Sequence, residues 1–336
     1  MNPSEENLNL PPTEKNDRES GDGMEELASR IVVHSPLPAE QAAVEPALQL
    51  EITPPAVPRP SNLPDDLRIS WGWLHFLGFI GFVFASLVIT QLGAVFYLME
   101  TTHNTRLSQK ELQQLIISRP QIPIVAQVVL FAMVIFFLYI TLAVLDDKPF
   151  WSTIGWQRLG KTPGVPTSPW VYFFAGVVLS LGVAAAIYFM KPPENLPIED
   201  LIKSRTGAML LISMAVLVAP LVEETAFRGY LYPLFASSFT RAAEHFGREP
   251  SSALRIGSTS GILLTGTLFG LMHGVQLGWT WGLVAVLVSV GIILTFVRAR
   301  TGTVLASFLL HLGYNSMIGL SVVFSTHGFT RMPPHP

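Results

Sequence analysis

Long stretches without a single charged side chain alternate along this chain with short polar ones. The charge-free runs are Ile69–Met99, Pro120–Leu145, Thr162–Met190, Thr206–Val222, Gly229–Thr240, Ile256–Val297 and Thr301–Thr330. A bilayer core takes about 20 apolar residues per helix. Each of the first three runs therefore predicts one span, and so does the last. The 42-residue run predicts two, divided near Gly274–Gly278. The two short runs join into one span interrupted by Glu223, Glu224 and Arg228. The expected fold is all-α: a polytopic transmembrane bundle of about seven spans, eight if the interrupted one is split.

Composition agrees with that pattern. Of 336 residues, 49% are hydrophobic and 13% charged, with a mean hydropathy of +0.43. A soluble domain carries roughly 25% charged residues. The chain has no cysteine, which excludes a disulfide framework and any cysteine-ligated metal.

Charge is unevenly spread. Residues 1–66 hold thirteen Asp/Glu against four Lys/Arg, and eleven of the 26 prolines lie in the first 64 residues. Such a segment buries too little apolar surface to offset its ordering entropy, so 1–66 reads as a disordered acidic tail. Met24–Val33 is its one stretch with short-helix character, and a solvated coil is the expectation there. No basic stretch leads into an early apolar run, so the first span is expected to serve as insertion signal. Scattered basic residues give no nucleic-acid signature; membrane lipid is the partner that composition implies. Counting Lys and Arg on each side of seven spans gives ten on the N-terminal side and seven opposite. The positive-inside rule then puts the N-terminus in the cytoplasm.

Trp71, Trp73, Trp151, Trp156 and Trp170 fall near span ends, where indole rings favour the interface. His75, His103, His245 and His327 fall near ends or in loops and read as interfacial. His34 and His335 fall in the two tails.

Three intramembrane places are costly in lipid: Glu223–Arg228, Phe269–His273 and His311–Asn315. A charged side chain at a helix centre costs about 2.5–3.5 kcal/mol on insertion scales, and such residues mark functional sites by default. Glu224 and Arg228 stand at i and i+4, acid first, the better orientation for a pair on one face. Glu223 points about 100° away from Glu224. It is expected to lack a local cation, so that desolvation favours its neutral form and poises it as a general base. Phe269 shares a face with His273, as His311 does with Asn315. At 1.5 Å per residue, Glu223, His273 and His311 lie about 21, 18 and 15 Å from their span ends, depths compatible with convergence.

These residues resemble the CPBP intramembrane proteases, which include the type II CAAX prenyl endopeptidases and the bacterial Abi proteins. The family pattern is two adjacent glutamates with an arginine four residues after the second, then Phe-x-x-x-His, then His-x-x-x-Asn or Asp. Here these are Glu223, Glu224 and Arg228; Phe269 and His273; His311 and Asn315. Arg298–Asn315 also looks like the family's third motif. The resemblance covers about residues 205–320.

It implies an endopeptidase that hydrolyses a peptide bond of a membrane-associated peptide or protein inside a membrane cavity. By that resemblance, Glu223 activates water with His273, His311 and Asn315 stabilise the oxyanion, and Glu224, Arg228 and Phe269 support the motif. An amide and an imidazole N–H both suit developing negative charge. Glu223, His273 and His311 are also a candidate zinc set, and a metalloprotease and a metal-free, glutamate-dependent mechanism both stay open. No HExxH pair occurs. Two other readings remain: a non-catalytic membrane scaffold or immunity-type protein of the same fold, and a proton-coupled transporter. The expected organisation is an acidic tail at 1–66, accessory spans at 67–200, a catalytic core at 205–326 and a short tail at 327–336, in a bacterial cell membrane.

Overall fold

Helices account for all the regular structure among the described residues, which are 63–332 apart from 105, 191, 192, 194 and 195 of the computed structural model. Residues 1–62, with Met24–Val33 and His34, lie outside the described residues, as do Lys191 and His335. The elements are α1 (Trp73–Thr102), α2 (Gln109–Ser118), α3 (Gln121–Tyr139), the short α4 (Phe150–Thr153), α5 (Pro169–Met190), α6 (Arg205–His245), α7 (Pro250–Met272), α8 (Trp281–Thr301) and α9 (Val304–Ser325). Two 3-10 turns, Asp65–Leu67 and Pro197–Ile202, precede α1 and α6.

Six of these helices are long and apolar enough to cross a membrane: α1, α3 with its π-helical extension to Val144, α5, α6, α8 and α9. The protein is an integral membrane protein. α7 has spanning length, at 23 residues, but its sequence PSSALRIGSTSGILLTGTLFGLM is richer in small and hydroxylated residues. It begins at Pro250, earlier than the charge-free run, because Arg255 is accommodated within its first turns. The expected break near Gly274–Gly278 is a run of turns between α7 and α8. The two short apolar runs around the charged motif form one continuous 41-residue helix.

Capping fixes several ends. Ser108 and Glu111 form a reciprocal capping box on α2. Gly302 (φ 70°) ends α8 in the left-handed conformation, and Thr303 then caps α9 by accepting from the Leu305 N–H.

Small residues bring helices to backbone distance, as expected where lipid offers no hydrophobic drive between them. A Cβ on Gly176 of α5 would strike the Leu310 carbonyl of α9, and one on Gly313 of α9 would strike the Phe173 carbonyl of α5. Gly266 and Gly270 of α7 lie equally close to Ile292 and Val288 of α8. The apolar interior has two main parts. One joins α1, α3 and α6 around Phe79, Leu138 and Tyr230. The other joins α5, α7, α8 and α9 around Phe269, Leu294 and Leu310. Phe227 of α6 packs against both.

The end of the segment read as acidic tail is packed rather than free. Leu63 and Leu67 are each 2% exposed and pack on Tyr232 and Ala236 of α6. Asp66 pairs at 2.8 Å with Arg298, which is 1% exposed at the end of α8. A buried cation there gives the acid a partner that composition alone does not reveal.

The close approach of α5 and α9 predicts that Gly176→Val destabilises the bundle by about 1–3 kcal/mol or more, the usual cost of overpacking. A melting temperature in nanodiscs close to that of the wild type would show that the two helices do not meet at Gly176.

Candidate active site

The chemistry-bearing helix is irregular where its residues cluster. α6 is α-helical over Arg205–Ser213, π-helical over Met214–Val218, α-helical over Ala219–Glu223, π-helical again over Glu224–Leu231, and α-helical to His245. π-Helical turns are rare and often mark functional sites. A covalent reason lies in Pro220. In the first π segment the Ala219 N–H bonds the Met214 carbonyl, which leaves Ala215 to seek the N–H of residue 220. Proline has none. The orphaned Ala215 carbonyl instead accepts a 2.7 Å hydrogen bond from Asn315 Nδ2 of α9. Pro233 removes a second donor just beyond the other π segment.

Glu224 and Arg228 are both fully buried, and Arg228 Nη1 donates to Glu224 Oε1 at 2.8 Å. Arg228 spends its other nitrogens across the interface with α8: Nη2 on the Gly291 carbonyl at 3.0 Å and Nε on Thr295 Oγ1 at 3.3 Å. Its guanidinium carbon also lies 4.4 Å from the Phe269 ring centre of α7. A buried charge is tolerated only when paired and hydrogen-bonded in this way.

His311 of α9 meets the same carboxylate. Its Nδ1 donates to Glu224 Oε1 at 2.9 Å. Its Nε2 lies 3.3 Å from Asn315 Nδ2 and 3.9 Å from Glu223 Oε2. Since Nδ1 faces a carboxylate and Nε2 an amide N–H, the neutral ring is the Nδ1–H tautomer. Glu223 is therefore not without a neighbour, as its position on the helix had implied: the missing group comes from another helix. Its side chain is 16% exposed, whereas that of Glu224 is fully buried.

His273 sits at the C-cap of α7, just before the expected break. Its Nδ1 donates to the Phe269 carbonyl at 2.8 Å, and Nε2 has no hydrogen-bond partner among the described residues. The turn that follows is pinned by Trp279, in the left-handed conformation (φ 54°), whose ring covers Gly274. Phe269 stands between the two histidines, its ring centre 4.8 Å from His273 and 5.8 Å from His311. All three motifs thus meet at Phe269, with Arg228 over one side of its ring.

The model for the type II CAAX prenyl endopeptidase Rce1-like family matches residues 205–317. Over that segment the chain is similar to CAAX-type intramembrane proteases. The segment runs from the start of α6 into α9 and contains Glu223, Glu224, Arg228, Phe269, His273, His311 and Asn315. No curated protein and no solved structure matches the chain.

Among the described residues, no hydrogen bond or ion pair joins Glu223 to His273; the link between them runs through Phe269 and His311. No three His, Asp or Glu side chains among them converge as a metal set, Glu223, His273 and His311 included. One nitrogen of His311 is engaged by Glu224 and the other faces Asn315, so as placed this donor set does not fit zinc.

Several supporting groups escape a reading of the sequence. Thr295 and the Gly291 carbonyl on α8 hold Arg228, and Trp156 Nε1 donates to Thr225 Oγ1 at 3.0 Å. Pro220, five residues after Ala215, is the one local sign of the freed carbonyl.

Arg228→Ala leaves Glu224 buried without its cation and is expected to cost about 3–5 kcal/mol. A far smaller loss in chemical or thermal unfolding would mean that the pair is hydrated rather than buried.

Proposed function

We propose that this protein is an intramembrane endopeptidase that cleaves a peptide bond in a membrane-associated peptide or protein, with Glu223 as general base. The carrying observation is the contrast between two adjacent carboxylates. Glu224 is sealed by Arg228 and His311, while Glu223 alone retains exposure and faces an imidazole nitrogen.

A water held on Glu223 Oε2 lies within reach of His311 Nε2 as well, because the two atoms are only 3.9 Å apart. Glu223 takes one proton from that water as its oxygen bonds to the scissile carbonyl carbon. The proton passes to His311 Nε2, making an imidazolium whose other N–H stays on Glu224. That imidazolium N–H and an Asn315 N–H then stabilise the oxyanion. Asn315 keeps its shorter bond to Ala215 and redirects the longer, 3.3 Å contact with His311. When the C–N bond breaks, the proton leaves with the amine, and Glu223 and His311 return to their starting states. His273, whose ring centre lies 4.8 Å from that of Phe269, is assigned the orientation of the water or the leaving group. The excess of basic residues on the N-terminal side supports a cytoplasmic N-terminus.

Glu223→Gln is expected to lower kcat on a membrane-anchored reporter peptide by about 10²–10⁴-fold, the usual contribution of a general base, while melting like the wild type. His273→Ala is expected to fall with it. A folded, fully active Glu223→Gln protein would sink the assignment, and comparing membrane proteomes of cells with each form would reveal the substrate. Zinc analysis of the same purified pair tests the metal reading.

A further inference from the structure

A second built site lies away from the glutamates, in the loop between α4 and α5. A cavity of about 310 Å³ opens between Gln157, Arg158, Lys161 and Thr162 of that loop and Thr301–Thr303, the turn from α8 to α9. Its walls are tied across. Thr303 Oγ1 donates to the Gln157 carbonyl at 2.6 Å, Thr162 Oγ1 to the Thr301 carbonyl at 2.9 Å, and the Val304 N–H to the Gly155 carbonyl at 2.9 Å. The cavity is therefore a fixed feature of the α8–α9 turn.

Asp65 and Asp66 complete the lining, but both are matched: Asp65 with Arg68 at 3.1 Å and Asp66 with the buried Arg298 at 2.8 Å. Arg158 and Lys161 are exposed and have no ion-pair or hydrogen-bond partner among the described residues. They leave the cavity with uncompensated positive charge. A forked guanidinium beside an ammonium suits a compact oxyanion such as phosphate.

The surroundings fix the depth. Trp151 and Trp170 bracket the loop, at 50% and 65% exposure, and exposed indoles at span ends lie at headgroup level. Phosphates are concentrated there, and basic residues near an anionic leaflet are drawn to them.

We propose that this cavity binds a phosphate-bearing anion at the membrane–water boundary through Arg158 and Lys161. Two sources carry that chemistry, an anionic phospholipid headgroup and free phosphate. The site stands independently of the proteolytic reading, because its test reads binding and not cleavage.

The full-length protein is placed in phosphatidylcholine nanodiscs, and phosphatidylglycerol replaces the neutral lipid stepwise while the melting temperature is followed. In a separate arm, inorganic phosphate is titrated into neutral discs. A saturable rise in melting temperature is expected in the wild type. Arg158→Gln with Lys161→Gln is expected to weaken the response about 30-fold, and Arg106→Gln with Lys110→Gln, just before and at the start of α2, to leave it unchanged. A rise with phosphatidylglycerol alone identifies the headgroup as the source. A rise with phosphate identifies the free anion. No rise with either anion, or a rise that the Arg158/Lys161 double variant retains, overturns the proposal. Where the double variant does not fold, each single change is read instead, with an expected weakening of about fivefold. An undiminished response in both singles likewise overturns it.

Discussion

A guanidinium with no access to solvent sits in the middle of this membrane domain, and the helices around it are arranged to satisfy it. Arg228 takes a carboxylate from its own helix, a carbonyl and a hydroxyl from α8, and an aromatic face from α7. Buried ion pairs add little net stability compared with apolar packing of the same volume, but removing one partner is costly. The pair therefore acts mainly as a constraint. Any arrangement of α6, α7 and α8 that displaces one of these partners leaves a charge unpaired in low dielectric.

The same carboxylate carries the constraint to α9. His311 donates to Glu224, Asn315 approaches His311, and Asn315 closes the path by bonding the carbonyl that Pro220 frees on α6. The irregular backbone is thus part of the site. A regular helix would occupy the Ala215 carbonyl internally and leave Asn315 without that anchor. Close packing at Gly176 and Gly313 holds α9 against α5 on the side away from the glutamates.

Much of this was legible in the residues. Charge-free runs located the long helices because lipid excludes charge so strongly, and the i, i+4 spacing of Glu224 and Arg228 marked a pair that forms within one helix. Features that depend on other helices were not legible. The neighbour of Glu223 is His311, far along the chain, so local spacing left that carboxylate alone. Arg298 lies just past a charge-free run and looked like a surface cation, yet it is buried and fixes Asp66, which composition assigned to the tail. The start of α7 at Pro250 was hidden because a charge-free criterion stops at Arg255. The end of that helix at His273, by contrast, was legible, because Gly274–Gly278 already marked the division of the 42-residue run.

Because the partners Glu224 and Arg228 lie four residues apart on one helix, they need no other helix in order to meet. The nascent α6 neutralises its most expensive pair while still a single segment leaving the insertion machinery, before α8 and α9 are synthesised. Insertion of the motif is thereby uncoupled from assembly of the candidate site. The later helices supply hydrogen bonds to charges already paired, and the order of synthesis matches the order in which the chain can tolerate its own polar groups in lipid.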